Sequence, residues 1–354
     1  MIDKILNARD ESNISEIKKL ENEIIESKNA RYMFLYLYYV NRENLDLISN
    51  EILKTENYRY IHFLLRTFKP NNYNLILDYI LSNNDDSRYI FNILYDVDYL
   101  PNNYRLKIID KIILLGDKNY IYKAIYYYFV ILELYDEVLF NKVKLMLKEQ
   151  SSVDINKDNY LLILKNMFNQ INNIEDPEGF SLNCYKGRNN YLPNIIVCHI
   201  NNTYSSAIKH FYNEKAEVSS HYVIRSDGHI KQVISLDDSS WANGTSKNED
   251  SDVYYKFSSS KLINMVNDNA NYFTFSIECE SFDGSLTDEQ YKSLIKVMKE
   301  IIKYLKDKYN YIFSIDREHI IGHNEINPIV RKKCPGSKFP FDRIIQELNN
   351  SVEF

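Results

Sequence analysis

Glycine is scarce in this chain, with 8 residues among 354, and proline is scarcer still at 7. Residues 1–150 hold little of either, which leaves long helices free of breakers. The four cysteines, Cys184, Cys198, Cys279 and Cys334, lie far apart and do not read as a disulfide framework. No apolar run reaches membrane-spanning length, so membrane insertion is not expected. The first twenty residues, MIDKILNARDESNISEIKKL, are polar and lack an apolar central stretch, so a signal peptide is not expected and synthesis in a reducing cytoplasm is. No long basic block is present and the formal net charge is -6, so nucleic acid is not the expected partner. What the chain does have is a hydrophobic fraction of 45%, ample for a buried core, and a length that favours two domains.

In residues 1–150 apolar side chains recur at three and four, the helical period. Four segments share a polar-Tyr-apolar start: ARYMFLYLYYV (30–40), YRYIHFLLRTF (58–68), SRYIFNILYDV (87–97) and NYIYKAIYYYF (119–129). They recur at intervals of roughly thirty residues. Polar turns such as KPNN (69–72) and LPNN (100–103) follow, then second amphipathic runs such as YNLILDYIL (73–81). This pattern predicts an all-α, solenoid-like helical repeat array. Its aromatic stripes are expected to form the core between repeats. Residues 151–175 are Asn-rich around one apolar run, YLLILKNMF (160–168), and read as a capping helix and linker.

From DPEGF (176–180) the character changes to mixed α/β, giving a second domain at 176–354. NIIVCHI (194–200) reads as a buried strand and SSAIKHFYN (205–213) as a helix. HYVIRSDGHIKQVI (221–234) reads as a hairpin, with Asp227-Gly228 at its tight turn. YFTFSIECE (272–280) and EHIIG (318–322) read as strands. The longest helix expected is 286–310, capped by Thr287 with Gln290 three residues on, with Tyr291, Leu294, Ile295, Met298, Ile301, Ile302 and Leu305 on one face.

His199 ends one of these strands and His323 follows another. Cys334 lies in a loop stiffened by Pro335. Two neutral imidazoles and a thiolate suit Zn²⁺, and three protein ligands leave a fourth position open for water, the mark of a catalytic site. Taken singly each residue is weak evidence, since a lone histidine at a strand end is more often structural.

The segments IVCHINNT (196–203), SSHYVIRSDGHI (219–230), SSWANG (239–244), FSIECE (275–280) and IIGHNEINPIVRKKCPG (320–336) resemble, in order, the type 2 N-acetylmuramoyl-L-alanine amidases, which include the peptidoglycan recognition proteins and phage amidases. The resemblance spans roughly residues 180–350 and leaves the helical half untouched. It implies an α/β mixed-sheet zinc amidase domain with zinc held by His199, His323 and Cys334. It also implies hydrolysis of the amide between the lactyl group of N-acetylmuramic acid and L-alanine in bacterial peptidoglycan. Receptor members that only bind peptidoglycan commonly lose the cysteine. By the same resemblance Glu278 is the acid/base and Lys332 the oxyanion-stabilising cation. Glu280, two residues on and expected on the same strand face, stands second to Glu278, and Lys333 reads as a solvated charge. Trp241 and Asn243 are candidate substrate contacts, by stacking and by polar contact, although a core anchor under a loop fits Trp241 equally well. Ser220 stands where phage relatives carry a tyrosine, and the loop after His199, INNTYSS, departs from the family's small-residue pattern. His221 is expected to be a structural or supporting histidine, and His229 and His319 structural ones. His62 and His210 carry no chemical signal.

The chain is thus expected to be a wall-lytic hydrolase of the endolysin kind, acting at the bacterial cell wall after release or delivery. Its helical half is expected to target or dock it, with a protein or wall component as partner. The alternatives are a non-catalytic peptidoglycan binder on the same fold, or a partner-binding helical scaffold with an accessory amidase.

Overall fold

The computed structural model describes residues 1–9, 13–148, 155–172 and 174–351. Residues 151–154 and 173 of the expected connector, and the last residues of both expected domains, lie outside these. The chain divides into two compact units, Met1–Phe168 and Asn169–Phe354.

The first unit is helical among its described residues. Its helices are α1 Ile2–Ala8, α2 Ile14–Glu26, α3 Ala30–Tyr39, α4 Leu45–Lys54, α5 Tyr58–Thr67, α6 Tyr73–Asn83, α7 Ser87–Asp96, α8 Asn102–Leu115, α9 Lys118–Tyr126 and α10 Glu137–Lys148, and α11 Tyr160–Asn172 begins in it. Short polar residues start several of them. The side chains of Asn29, Asp86 and Asp117 accept from the free backbone amides of α3, α7 and α9. Each of α3, α5 and α7 packs on the helix two further along, as α6 does on α8. Tyrosines tie these layers together. The Tyr89 hydroxyl donates to the Tyr58 carbonyl, Tyr99 to Leu65 at 2.8 Å and Tyr104 to Asn74 at 3.3 Å. The aromatic stripes are therefore interior: Phe34, for example, contacts Tyr60, Phe63 and Phe68.

The second unit is built on β1 Cys184–Tyr185, β2 Ile195–Asn201, β3 Tyr222–Ile224, β4 Ile230–Gln232, β5 Ser239–Ser240, β6 Thr274–Glu280 and β7 Ile320–Gly322. Five strands form one sheet in the order β4-β3-β6-β2-β7, and β1 pairs with β5 apart from it. β3, β6, β2 and β7 run parallel, and β4 is an antiparallel edge. Helices α12 Tyr204–Phe211, α13 Lys261–Val266, α14 Asp288–Tyr309, α15 His323–Ile326 and α16 Phe341–Ser351 surround it. One sheet face, through Ile196, Cys198, Phe275 and Ile277, packs on the expected apolar face of α14, all seven of whose residues are buried. Val197 and Val223 on the other face lie in separate clusters with Ile263 of α13 and with α12. Burial on both faces explains why the central strands read as unbroken apolar runs rather than alternating ones.

Two local details differ from the sequence reading. Gly228 sits at φ +86 after a turn closed by its own amide on the Arg225 carbonyl, and Arg225 N donates to His229 O. Asp227-Gly228 is thus the end of a longer, bulged connection rather than a two-residue turn. Thr287 caps α14 by accepting from Gln290 N, but the Gln290 side chain does not return the bond. Instead Nε2 donates to the carbonyls of Ile224 and Glu280, because Gln290 is buried where two strands end and both carbonyls need a donor.

Candidate metal centre

The parallel strands deliver His199, Glu278 and His323 to the carboxyl-terminal end of the sheet. His199 lies near the end of β2 and is paired in register with Glu278 of β6. β7 stops at Gly322, and His323 opens α15, bringing the two imidazoles to 4.3 Å between ring centres. Cys334 is carried back to the same place by a loop. Asn324 N donates to the Cys334 carbonyl at 2.8 Å, and Ile200 N approaches its Sγ at 3.4 Å. The fit requires glycine. A Cβ on Gly322 would meet Pro335 Cδ at 2.6 Å, and Gly336, at φ +97, lies so close to Asp283 that a Cβ would reach its backbone at 2.2 Å.

Donor atoms of His199, His323 and Cys334 all fall within 4.8 Å of one another. Burial pushes His199 down to about 3; the Arg331 charge acts the same way, and the Asn243 side chain opposes them. Burial, then His199 and Arg331, holds His323 well below its usual value. Burial raises the Cys334 thiol to about 12. Two neutral imidazoles and a buried thiol facing one point form a donor set suited to a soft divalent metal such as zinc, which would displace only the thiol proton. His199 Nε2 is moreover buried without a hydrogen-bond partner among the described residues.

Glu278 stands beside this cluster, its Oε1 3.8 Å from His199 Nδ1 and its Oε2 3.4 Å from Asn201 Nδ2. Burial raises its carboxyl to about 7, against the opposing pull of Asn201 and Arg331. Glu280 is placed differently. Its two oxygens accept from Tyr204 N at 2.8 Å and Ser226 N at 3.0 Å, so it ties the start of α12 to the hairpin.

Lys332 is exposed. Trp241 is partly exposed, edge-on to Tyr185 at 5.4 Å. Asn243 is fully buried, its Nδ2 on Thr274 Oγ1 at 2.8 Å. Ser220 is also buried, its hydroxyl donated to the Tyr222 carbonyl. His221 is sealed in the interior between Phe275, Ser276 and the Arg188 guanidinium, which meets its Nε2 at 2.9 Å. His229 pairs with Asp176 at 2.7 Å and His319 with Asp316 at 2.7 Å. In the helical unit His62 pairs with Asp96 at 2.9 Å.

Three residues escaped the sequence reading, two of them beside the site. Asn201 follows His199 by two on a strand and so shares its face, a signal that was available. Arg331 acts on His199, Glu278, His323 and Cys334 together. Arg188 is a buried cation whose guanidinium rests on the carbonyls of Leu236 and Thr274; nothing in its local sequence announces it.

Residues 188–337 match the protein family described as N-acetylmuramoyl-L-alanine amidase. The 1,6-anhydro-N-acetylmuramyl-L-alanine amidase AmpD of Haemophilus influenzae is 29% identical over 132 residues, 37% of this chain and 59% of that protein. The chain thus spans about three fifths of the length of this curated relative. Among solved structures, a selenomethionine derivative of AmpD matches with a TM-score of 0.33 and 22% identity over 49% of this chain and 93% of that one. The N-acetylmuramoyl-L-alanine amidase LysC of Clostridium intestinale URNW matches with a TM-score of 0.30 and 22% identity over 50% and 94%.

Proposed function

We propose that the C-terminal half of this chain, a type 2 N-acetylmuramoyl-L-alanine amidase domain, is a zinc-dependent hydrolase that cuts the lactyl–L-alanine amide of bacterial peptidoglycan. The observation that carries the reading is the convergence of His199, His323 and Cys334 with a carboxylate, Glu278, 3.8 Å from the first of them. Bound by those three residues, zinc would supply Lewis acidity toward water and the scissile carbonyl.

The chain's own groups do the rest. Glu278, poised at about 7, takes a proton from the attacking water and passes it to the departing alanine nitrogen. Asn201 orients that carboxylate. Lys332 is the cation for the developing oxyanion, with Arg331 setting the background charge. Trp241 stacks on sugar or stem peptide at the rim.

The helical half would act as a repeat array that docks the enzyme to a protein or wall component. The layer-to-layer packing of α3, α5, α7 and α9 and the tyrosine bonds between layers support that reading. Wall lysis of the endolysin kind is the role we favour. The name of the Haemophilus relative supports a second reading, in which the substrate is a soluble 1,6-anhydro muropeptide. Turnover of purified peptidoglycan and of a soluble anhydro-muropeptide by the zinc-loaded full chain separates the two. Turnover of neither would sink the enzyme reading and leave a peptidoglycan binder.

A further inference from the structure

His323 opens α15, a helix of only four residues whose N-cap is Gly322. Glycine has no side chain to offer the free amides of the first turn. A serine or threonine cap is barred there, since a Cβ would meet Asn324 Oδ1 at 2.5 Å and Pro335 Cδ at 2.6 Å. The loop of Cys334 takes the place of the missing cap: the Cys334 carbonyl accepts from Asn324 N at 2.8 Å. The short helix thus carries His323 and is bonded to Cys334.

A single turn of helix is not stable by itself. Glu325 supplies the hold. Its Oε1 turns back to accept from Gly322 N at 2.7 Å, and that amide belongs to a buried residue at the end of β7. The same oxygen accepts from Arg317 Nη2 at 2.6 Å. Arg317 is itself fixed, with Nη1 donating to the Ile320 carbonyl and the guanidinium 3.8 Å from the centre of the Phe341 ring. On the main chain, the Glu325 carbonyl accepts from the Ser258 hydroxyl at 2.7 Å and from Ser259 N at 2.9 Å. Side chain and backbone of Glu325 therefore tie α15 to segments 317–322 and 258–259.

We propose that Glu325 is a positioning residue for the metal centre: its carboxylate, braced by Arg317, fixes α15 and so sets His323 directly and Cys334 through the Asn324 amide. It acts on two of the three ligands through the backbone, and the proposal rests on the zinc reading above. A carboxylate that accepts from both a buried amide and a guanidinium makes the stronger, charge-assisted kind of hydrogen bond. Loss of a group that orients metal ligands weakens metal affinity about 10–100-fold.

The test uses the full chain at pH 7. Chelator competition gives the zinc Kd, and thermal melting of the zinc-free protein gives its stability. E325A should bind zinc about 10–100-fold more weakly than wild type. E325Q keeps an oxygen for Gly322 N and should stay within a few-fold of wild type. R317M leaves the Gly322 bond but frees the carboxylate, so its Kd should fall between. E280Q controls for stability alone: it disturbs a carboxylate that accepts from two other backbone amides, and should lower Tm with the zinc Kd unchanged. An unchanged Kd in E325A, an E325Q protein as weak as E325A, or an E280Q protein weakened as much as E325A would each overturn the proposal. Should E325A fail to fold, R317M decides, and a wild-type Kd there is the contrary result. A wild type that binds no zinc would overturn the zinc reading and this proposal with it, whereas a zinc-binding wild type with any of the contrary results overturns this proposal alone.

Discussion

Glu278 Oε1 lies 3.8 Å from His199 Nδ1, and the two residues are register partners across parallel strands β6 and β2. Two residues along the same strand, Glu280 gives both oxygens to backbone amides. One strand therefore presents two carboxylates in different employment.

Glu278→Gln keeps the shape of the side chain and removes its proton relay. Zinc content should be unchanged while kcat on a soluble muropeptide falls about 10²–10⁴-fold. Glu280→Gln should retain near-native turnover and lose stability instead, by about 1–3 kcal/mol, because two backbone donors lose a charged acceptor. The reverse pattern would exchange the roles.

Alanine at His199, His323 or Cys334 should each strip zinc and end hydrolysis, since three protein ligands leave none to spare. Metal analysis of the purified variants checks this. Full occupancy in all three would disprove the ligand set.

Zinc loading should strengthen with pH. The Cys334 thiol, raised to about 12, is protonated at neutral pH, while both imidazoles are already neutral. Loading thus releases one proton from the thiol and none from the histidines, so affinity should rise about tenfold per pH unit between roughly pH 6 and 7. Chelator competition at several pH values measures the slope, and a flat profile contradicts it.

The two neighbouring cations should separate in kinetics. Lys332→Ala should keep zinc and lose roughly 10²–10³-fold in kcat if it stabilises the oxyanion. Arg331 opposes the rise of the Glu278 carboxyl, so Arg331→Ala should push that group higher and move the acidic limb of the kcat profile to higher pH. Unaltered turnover in Lys332→Ala would remove it from the mechanism.

Residues 169–354 form their own compact unit and contain every candidate site residue. The isolated fragment should fold, bind zinc and cleave peptidoglycan. A soluble, zinc-loaded but inactive fragment would mean that the helical half completes the site.

Periodicity made the α14 face and the buried central strands readable, because both depend on local spacing and on burial of apolar side chains. His199, His323 and Cys334 are far apart in sequence. Their meeting depends on strand order and on the close approaches at Gly322 and Gly336, so residue type makes them candidates and the family resemblance, not spacing, joins them. The duties of Gln290 and Glu280 were hidden for a related reason: each side chain answers backbone atoms of distant segments. Glu278 and Glu280 look equivalent along the strand, and only the amides of Tyr204 and Ser226 distinguish them.

Mass spectrometry of purified peptidoglycan digested by the zinc-loaded full chain identifies the bond directly. Amide cleavage predicts stem peptides with a free L-alanine amino terminus and glycan strands bearing a free lactyl carboxylate, with no such products from Glu278→Gln. New reducing sugar ends, cuts within the stem peptide, or no products at all would contradict the assignment.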